Sequence, residues 1–335
     1  MKICVIGAGA IGGLIACRLA AQSEQTVSVS VLARGESLRV LQSNPLRVFS
    51  RTDPASDAWS EQVATVTAAD QARELGPQDV VVVAVKYNGM ASLASQIAPL
   101  IGEQTTVVSA MNGVPWWFTH GLSEAAANLS LDVVDPAGSV SAVMPAEQVI
   151  GCVVHLAASV REPGVIQLNM GNRLIFGEPK HRSSERLTLL CNLFRAAGFD
   201  VEQSDQIHHD VWYKLWGNMT MNPISAVTGA LTTDVLNDPQ LREFLSAAMR
   251  EANLVGQRLG LDISEQPEQR HQVTLKLGGF KTSMLQDAQA GKPLELDALV
   301  TVVHDMARQL EIPAPNIGSV LGLARVFARA HGLTG

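Results

Sequence analysis

Apolar residues in the first third of the chain come in short runs that alternate with stretches of helical composition. Residues 2–6 form a β-rich run that stops at glycine, and residues 11–21 then have helical composition. Residues 27–32 alternate Val with Ser, residues 79–85 are a nearly unbroken Val run, and residues 105–110 are β-rich again. A continuous apolar run of that length marks a strand buried on both faces, as in a parallel sheet covered by helices. The alternation predicts βαβ units and a doubly wound sheet.

The pattern changes at about residue 133. Residues 151–160 and 164–168 are β-rich and separated by the turn sequence Glu162-Pro163-Gly164, and residues 174–176 offer a further strand. These predict an antiparallel edge added to the sheet, followed by a helix over 184–197 and a last strand over 199–203. After residue 206 the strand signals fade. Asp238-Pro239 supplies an N-cap and a first-turn proline. Leu241, Phe244, Leu245, Ala248, Met249, Ala252 and Val255 keep helical spacing up to Gly260, a natural stop. Residues 296–310 repeat the pattern until Pro313 and Pro315, and residues 317–330 form a final helix. The expected class is α/β, with a sheet domain over residues 1–206 and an all-helical C-terminal domain over 207–335 for substrate and dimer contacts.

With 335 residues, 47% hydrophobic and 17% charged, the chain has apolar surface for two folded cores, which excludes general disorder. A formal charge of -7 without a local Lys/Arg run argues against a nucleic-acid partner. Cys4, Cys17, Cys152 and Cys191 lie in apolar stretches without metal-ligand spacing, so no metal is expected, and buried reduced thiols in a cytoplasmic protein are. The apolar N-terminus is broken by Gly7, Gly9, Gly12 and Gly13, unlike a secretory segment. The longest apolar run, residues 80–85, is too short to cross a bilayer, so no membrane partner is expected.

Between the first strand and first helix stands Gly7-Ala8-Gly9-Ala10-Ile11-Gly12, a GxGxxG in the context a dinucleotide site demands. Gly7 permits the turn, Gly9 lets a pyrophosphate approach the backbone, and Gly12 lets helix and strand pack closely. The phosphates would meet the free N–H groups of the helix at Ala10 and Ile11. The N-terminal domain is therefore expected to be a Rossmann-type dinucleotide-binding domain. An NAD site wants Asp or Glu at the end of the second strand, whereas this chain carries Arg34, suited to a 2′-phosphate. NADP is the expected cofactor; the alternatives are that Glu36 reaches a ribose and that Arg34 is a solvated loop charge.

Lys86 ends the Val run and Asn112-Gly113 ends the next strand, where doubly wound sheets collect ligands. Lys214, Asn218 and Asn222 are four apart and share one helix face among Trp, Leu and Met. That face suits a site; the alternative is a polar face lining a domain interface. Pro223 predicts a kink or helix end at Asn222. Ketone reduction by hydride needs an acid beside the carbonyl oxygen, and a partly buried lysine can serve. Glu295, a carboxylate on an apolar segment, is a candidate partner.

In these segments, together with Val85-Lys86, Ser283-Met284-Leu285-Gln286-Asp287 and Glu295-Leu296-Asp297, the chain resembles ketopantoate reductases (2-dehydropantoate 2-reductases) over essentially its whole length. The resemblance implies NADPH-dependent reduction of 2-dehydropantoate to (R)-pantoate, on the route to pantothenate and coenzyme A. It implies Lys214 as general acid and Glu295 as the group that orients the reacting centre and reaches the cofactor. Asn112, Asn218, Asn222 and Ser283 would hold the substrate. Lys86 and Asn112 would bridge substrate and cofactor, and Arg34 would meet the 2′-phosphate. The chain departs from typical members at Val114-Pro115-Trp116-Trp117-Phe118, where bulky aromatics either reshape the pocket or start a helix and pack inward. Adjacent His208 and His209, placed before a helix with diverging side chains, are expected to have no chemical role, and Asp287 is expected to be structural. A sister reductase for another branched 2-oxo acid and a non-catalytic NADP-binding sensor are the rival readings. A homodimer is a further expectation.

Overall fold

The computed structural model describes residues 1–22, 27–51 and 58–334. They divide into two compact units, one of Met1–Val85, Ala91–Met111 and Ser139–Ile207, the other of Lys86–Met90, Asn112–Gly138 and His208–Gly335.

The first unit is built on one sheet. Its strands are β1 (Lys2–Ile6), β2 (Ser28–Leu32), β3 (Leu46–Ser50), β4 (Ser60–Ala64), β5 (Thr67–Ala69), β6 (Val80–Val83), β7 (Thr106–Ser109), β8 (Val149–Glu162), β9 (Val165–Gly177) and β10 (Asp200–Ser204). Their order is β4-β3-β9-β8-β7-β6-β1-β2-β5, with β10 paired to β9. From β5 through β2, β1, β6 and β7 to β8 every pairing is parallel. All four valines of β6 are buried, as its place between β1 and β7 requires.

The β8–β9 hairpin is antiparallel and turns at Gly164 with φ +79°, as its turn residues predict. It is not the edge of the sheet. The hairpin β3–β4 lies beyond it, and β10 also pairs with β9. β4 escapes the apolar pattern because it is polar, Ser-Glu-Gln-Val-Ala, and four of its five residues are exposed, the usual character of an edge strand.

The helix Ala10–Ala20 presses Leu14, Ile15 and Leu19 into the sheet core beside Ile3, Val5 and Val82. Its approach depends on glycine: a Cβ at Gly12 would stand 2.0 Å from the Gly7 carbonyl oxygen, and one at Gly13 2.9 Å from Ile166. All four cysteines are buried free thiols. Desolvation pushes the Cys4 thiol up to about 11 and the Cys17 thiol up to about 12, so neither is a nucleophile at neutral pH.

The second unit is helical. Asp238 caps the helix Pro239–Leu259 by accepting the Leu241 N–H at 2.8 Å, and Gly260 ends it at φ +81°. The helix Pro315–Ala330 lacks a side-chain cap of its own. Instead Glu251, from the preceding long helix, accepts the backbone N–H groups of Asn316 (3.0 Å) and Ile317 (2.9 Å).

Two helices differ from expectation. Ile207–Thr228 runs through Pro223, so of the expected kink or helix end the end does not occur. Residues 219–226 are all buried, and such packing outweighs the roughly 3 kcal/mol cost of an internal proline. The stretch 296–310 begins with a π-helical turn, Asp297–Thr301, before the α-helix Val302–Gln309. Among the described residues no helix is long and apolar enough to cross a membrane.

Candidate active site

In the first unit, Gly7 adopts φ +98° and donates its N–H to the Leu32 carbonyl at 3.0 Å, locking the turn after β1. A Cβ there would meet Val85 at 2.7 Å, whereas at Gly9 nothing lies within 4 Å. Gly9 is the N-cap of Ala10–Ala20 and no side chain caps that helix. The first turn, with Ala10 and Ile11, therefore presents backbone N–H groups and the positive helix end beside an open glycine. These features fit a dinucleotide pyrophosphate. Arg34 is exposed at the end of β2, ahead of the helix Gly35–Ser43, and its guanidinium donates to the Gln96 side-chain oxygen at 3.2 Å.

The remaining predicted site residues all belong to the second unit. The helix Ile207–Thr228 carries Lys214, whose Nζ donates to Asn112 Oδ1 at 2.7 Å. Asn218 and Asn222 follow on the same face, Asn218 half-buried and Asn222 buried. Glu295 stands two residues before the π-helical turn and accepts the Tyr87 N–H at 3.1 Å through Oε1. Burial pushes its carboxyl above the ordinary range, and Asp287 adds to that. The Tyr87 N–H and the charges of Lys86 and Lys214 oppose the shift. Lys86 pairs with Asp287 Oδ2 at 2.7 Å. Ser283 is exposed at the start of Ser283–Gln289, one turn before Asp287, and Thr282 caps that helix by accepting the Leu285 N–H at 3.2 Å.

Lys86, Asn112, Lys214 and Glu295 thus form one polar group, joined by hydrogen bonds and charge, with Asn218 and Asn222 on the lysine's helix face and Ser283 on the helix of Asp287. Two further residues join this group. Asp287, expected to be structural, pairs with the candidate site residue Lys86. Its spacing of four from Ser283 on a short helix is a signal that it shares the serine's face. Tyr87, adjacent to Lys86, had no signal of its own.

The loop after Asn112 is held on several sides. Gly113 has φ +82°, and a Cβ there would stand 2.3 Å from the Ala298 carbonyl oxygen. The Val114 N–H donates to that oxygen at 2.8 Å, and the Trp116 N–H donates to the Tyr87 hydroxyl at 2.9 Å. Trp116, Trp117 and Phe118 are buried, in turns rather than in a helix. The rings of Trp117 and Phe118 lie 5.4 and 5.5 Å from His208, and Phe118 stacks on Trp212 at 5.8 Å. The aromatics therefore pack inward. His208 and His209 both sit inside the helix, His208 fully buried and His209 stacked on Tyr213.

A dinucleotide-type turn on a mostly parallel sheet, and a lysine–carboxylate group in a helical unit, define an oxidoreductase architecture. A family model described as "Ketopantoate reductase PanE/ApbA" matches residues 3–181, and one described as "Ketopantoate reductase PanE/ApbA C terminal" matches residues 206–328. A 2-dehydropantoate 2-reductase of Mesorhizobium japonicum is 40% identical over 332 residues, 99% of each chain. A crystal structure from Ralstonia solanacearum MolK2, assigned provisionally as a ketopantoate reductase, is 45% identical and superposes with a TM-score of 0.91 over 99% of this chain and 98% of its own. D-mandelate dehydrogenase, solved with NADH and anilino(oxo)acetate, shares the fold at 17% identity and a TM-score of 0.81, with all of both chains covered. The chain belongs to the ketopantoate reductase family.

Proposed function

We propose that this chain reduces 2-dehydropantoate to (R)-pantoate with NADPH, supplying a precursor for pantothenate and coenzyme A. The observation that carries the reading is the Lys214–Asn112 hydrogen bond of 2.7 Å in the same unit as a half-buried Glu295 whose carboxyl is pushed up. The 40% identity to a 2-dehydropantoate 2-reductase supports the substrate.

NADPH, when bound, supplies the hydride. Gly7, Gly9 and Gly12, with the N–H groups of Ala10 and Ile11, would hold its pyrophosphate, and Arg34 its 2′-phosphate. Lys86 and Asn112 would contact both cofactor and substrate, and Glu295 would also reach the cofactor. The Lys214 ammonium gives a proton to the ketone oxygen, where alkoxide charge develops. Asn112 fixes the direction of that ammonium by accepting one of its protons. Asn218, Asn222 and Ser283 offer amide and hydroxyl groups to the hydroxyl and carboxylate of the substrate. Glu295, held by the Tyr87 N–H, orients the reacting group.

The test is loss of NADPH absorbance with 2-dehydropantoate, run beside NADH and a panel of other 2-oxo acids. Lys214→Ala is expected to lower kcat by about 10²–10⁴-fold, the scale of a lost general acid. Turnover only on another oxo acid would overturn the substrate. Cofactor binding without turnover on any acid would overturn the enzyme reading in favour of a sensor.

A further inference from the structure

Tyr87 touches two parts of the site at once. Its backbone N–H donates to Glu295 Oε1 at 3.1 Å, and its hydroxyl accepts the Trp116 N–H at 2.9 Å. Trp116 is four residues after Asn112, whose Oδ1 accepts from Lys214 Nζ. Gly113 and Val114, between them, lie against the Ala298 carbonyl, three residues past Glu295. The Asn112 loop is therefore fixed at one point by the π-helical turn and at another by the Tyr87 phenol. That phenol is buried, and desolvation holds it protonated well above the usual tyrosine range. The charged groups that act on Glu295 are Lys86, Asp287 and Lys214. The charges of Asp135 and Glu295 also act on the phenol and help to hold it protonated, while its hydrogen bond to the site is the one it accepts from the backbone of the loop.

We propose that Tyr87 is a positioning residue for the proton donor, holding the Asn112 loop so that the amide oxygen meets the Lys214 ammonium at a set distance from Glu295. The proposal rests on the reductase reading for its consequence in catalysis, but its geometry can be tested without turnover. A hydrogen bond to a charged group favours the charged form. Freeing the loop should weaken the Asn112 bond and let the Lys214 pKa fall.

The experiment is a ¹³C-lysine NMR titration of the whole chain, practical because it has seven lysines, with the Lys214 signal assigned through Lys214→Arg. Tyr87→Phe deletes the acceptor for the Trp116 N–H and keeps the backbone bond to Glu295. Ser225→Ala is the control, since it deletes a buried hydroxyl bonded to the Ala230 carbonyl at 2.7 Å on the same helix as Lys214. Both variants should melt lower than the parent. Only Tyr87→Phe should lower the Lys214 pKa, by about half a unit or more. It should also lower kcat about tenfold, with the basic limb of the kcat–pH profile moving down in parallel. An unchanged Lys214 pKa in Tyr87→Phe would overturn the proposal, and so would equal shifts in both variants. Absence of turnover in the parent chain would refute the reductase reading, while the titration would still decide the role of Tyr87.

Discussion

Glu295 is a carboxylate in a site that does not solvate it well. Its pKa is raised, chiefly by burial, so the folded chain holds this proton more firmly than the unfolded chain does. Ionising it costs stability, and the cost grows as pH rises above the ordinary carboxyl value of 4.5 through the folded pKa. Glu295→Gln keeps an oxygen for the Tyr87 N–H and removes the charge. The variant is expected to melt higher than the parent at pH 7.5, with the difference shrinking as pH is lowered towards 4.5, and to lose activity. A variant that melts lower at pH 7.5 would show that the charge is well compensated. At this scale the sequence was informative where chemistry repeats at fixed spacing: the glycines at 7, 9 and 12, and the polar residues at 214, 218 and 222. It was silent on Tyr87, whose importance comes from a partner 29 positions away.

Elements were legible where one physical cause dominates. The Val run of β6 and the Asp238–Gly260 boundaries of the long helix follow from local residues alone. The polar edge strand β4 and the unbroken helix at Pro223 depend on neighbours, so the chain does not announce them. The clamp on the last helix is of the second kind. Glu251 is 8% exposed and satisfies N–H groups that Ala314, its N-cap, leaves without a side-chain partner. Glu251→Ala would strip that buried end of its acceptor. The expected loss is about 2–4 kcal/mol, read as a lower urea midpoint with an unchanged slope, while Glu251→Gln should retain part of the stability. A loss below about 0.5 kcal/mol would mean that water caps the helix as well as the carboxylate does.

For the whole molecule, the contact units cross the order of the chain. Lys86–Met90 and Asn112–Gly138 belong with the C-terminal residues, a grouping that rests on long-range contacts and has no mark in the sequence. Stability against pH is likewise a sum over distant sites. His271 is 3% exposed, and its Nε2 lies 3.0 Å from Ser246 Oγ. Ser246 gives its own proton to the Arg242 carbonyl, so the imidazole must donate through Nε2. Burial pushes this histidine down to about 4 from 6.5, helped by the Arg242 and Arg270 charges and opposed by Glu268. The unfolded chain therefore binds the extra proton first. The contribution is complete above about pH 6.5 and is lost as pH falls towards 4, at most about 3 kcal/mol for a shift of this size. Glu295 acts with the opposite sign as the chain is acidified. Urea unfolding at pH 7.5 and 4.5 separates the two. His271→Gln should flatten the decline in stability on acidification, and Glu295→Gln should steepen it. If His271→Gln leaves the slope unchanged, the acid sensitivity of the chain lies in its other titrating groups and not in this buried imidazole.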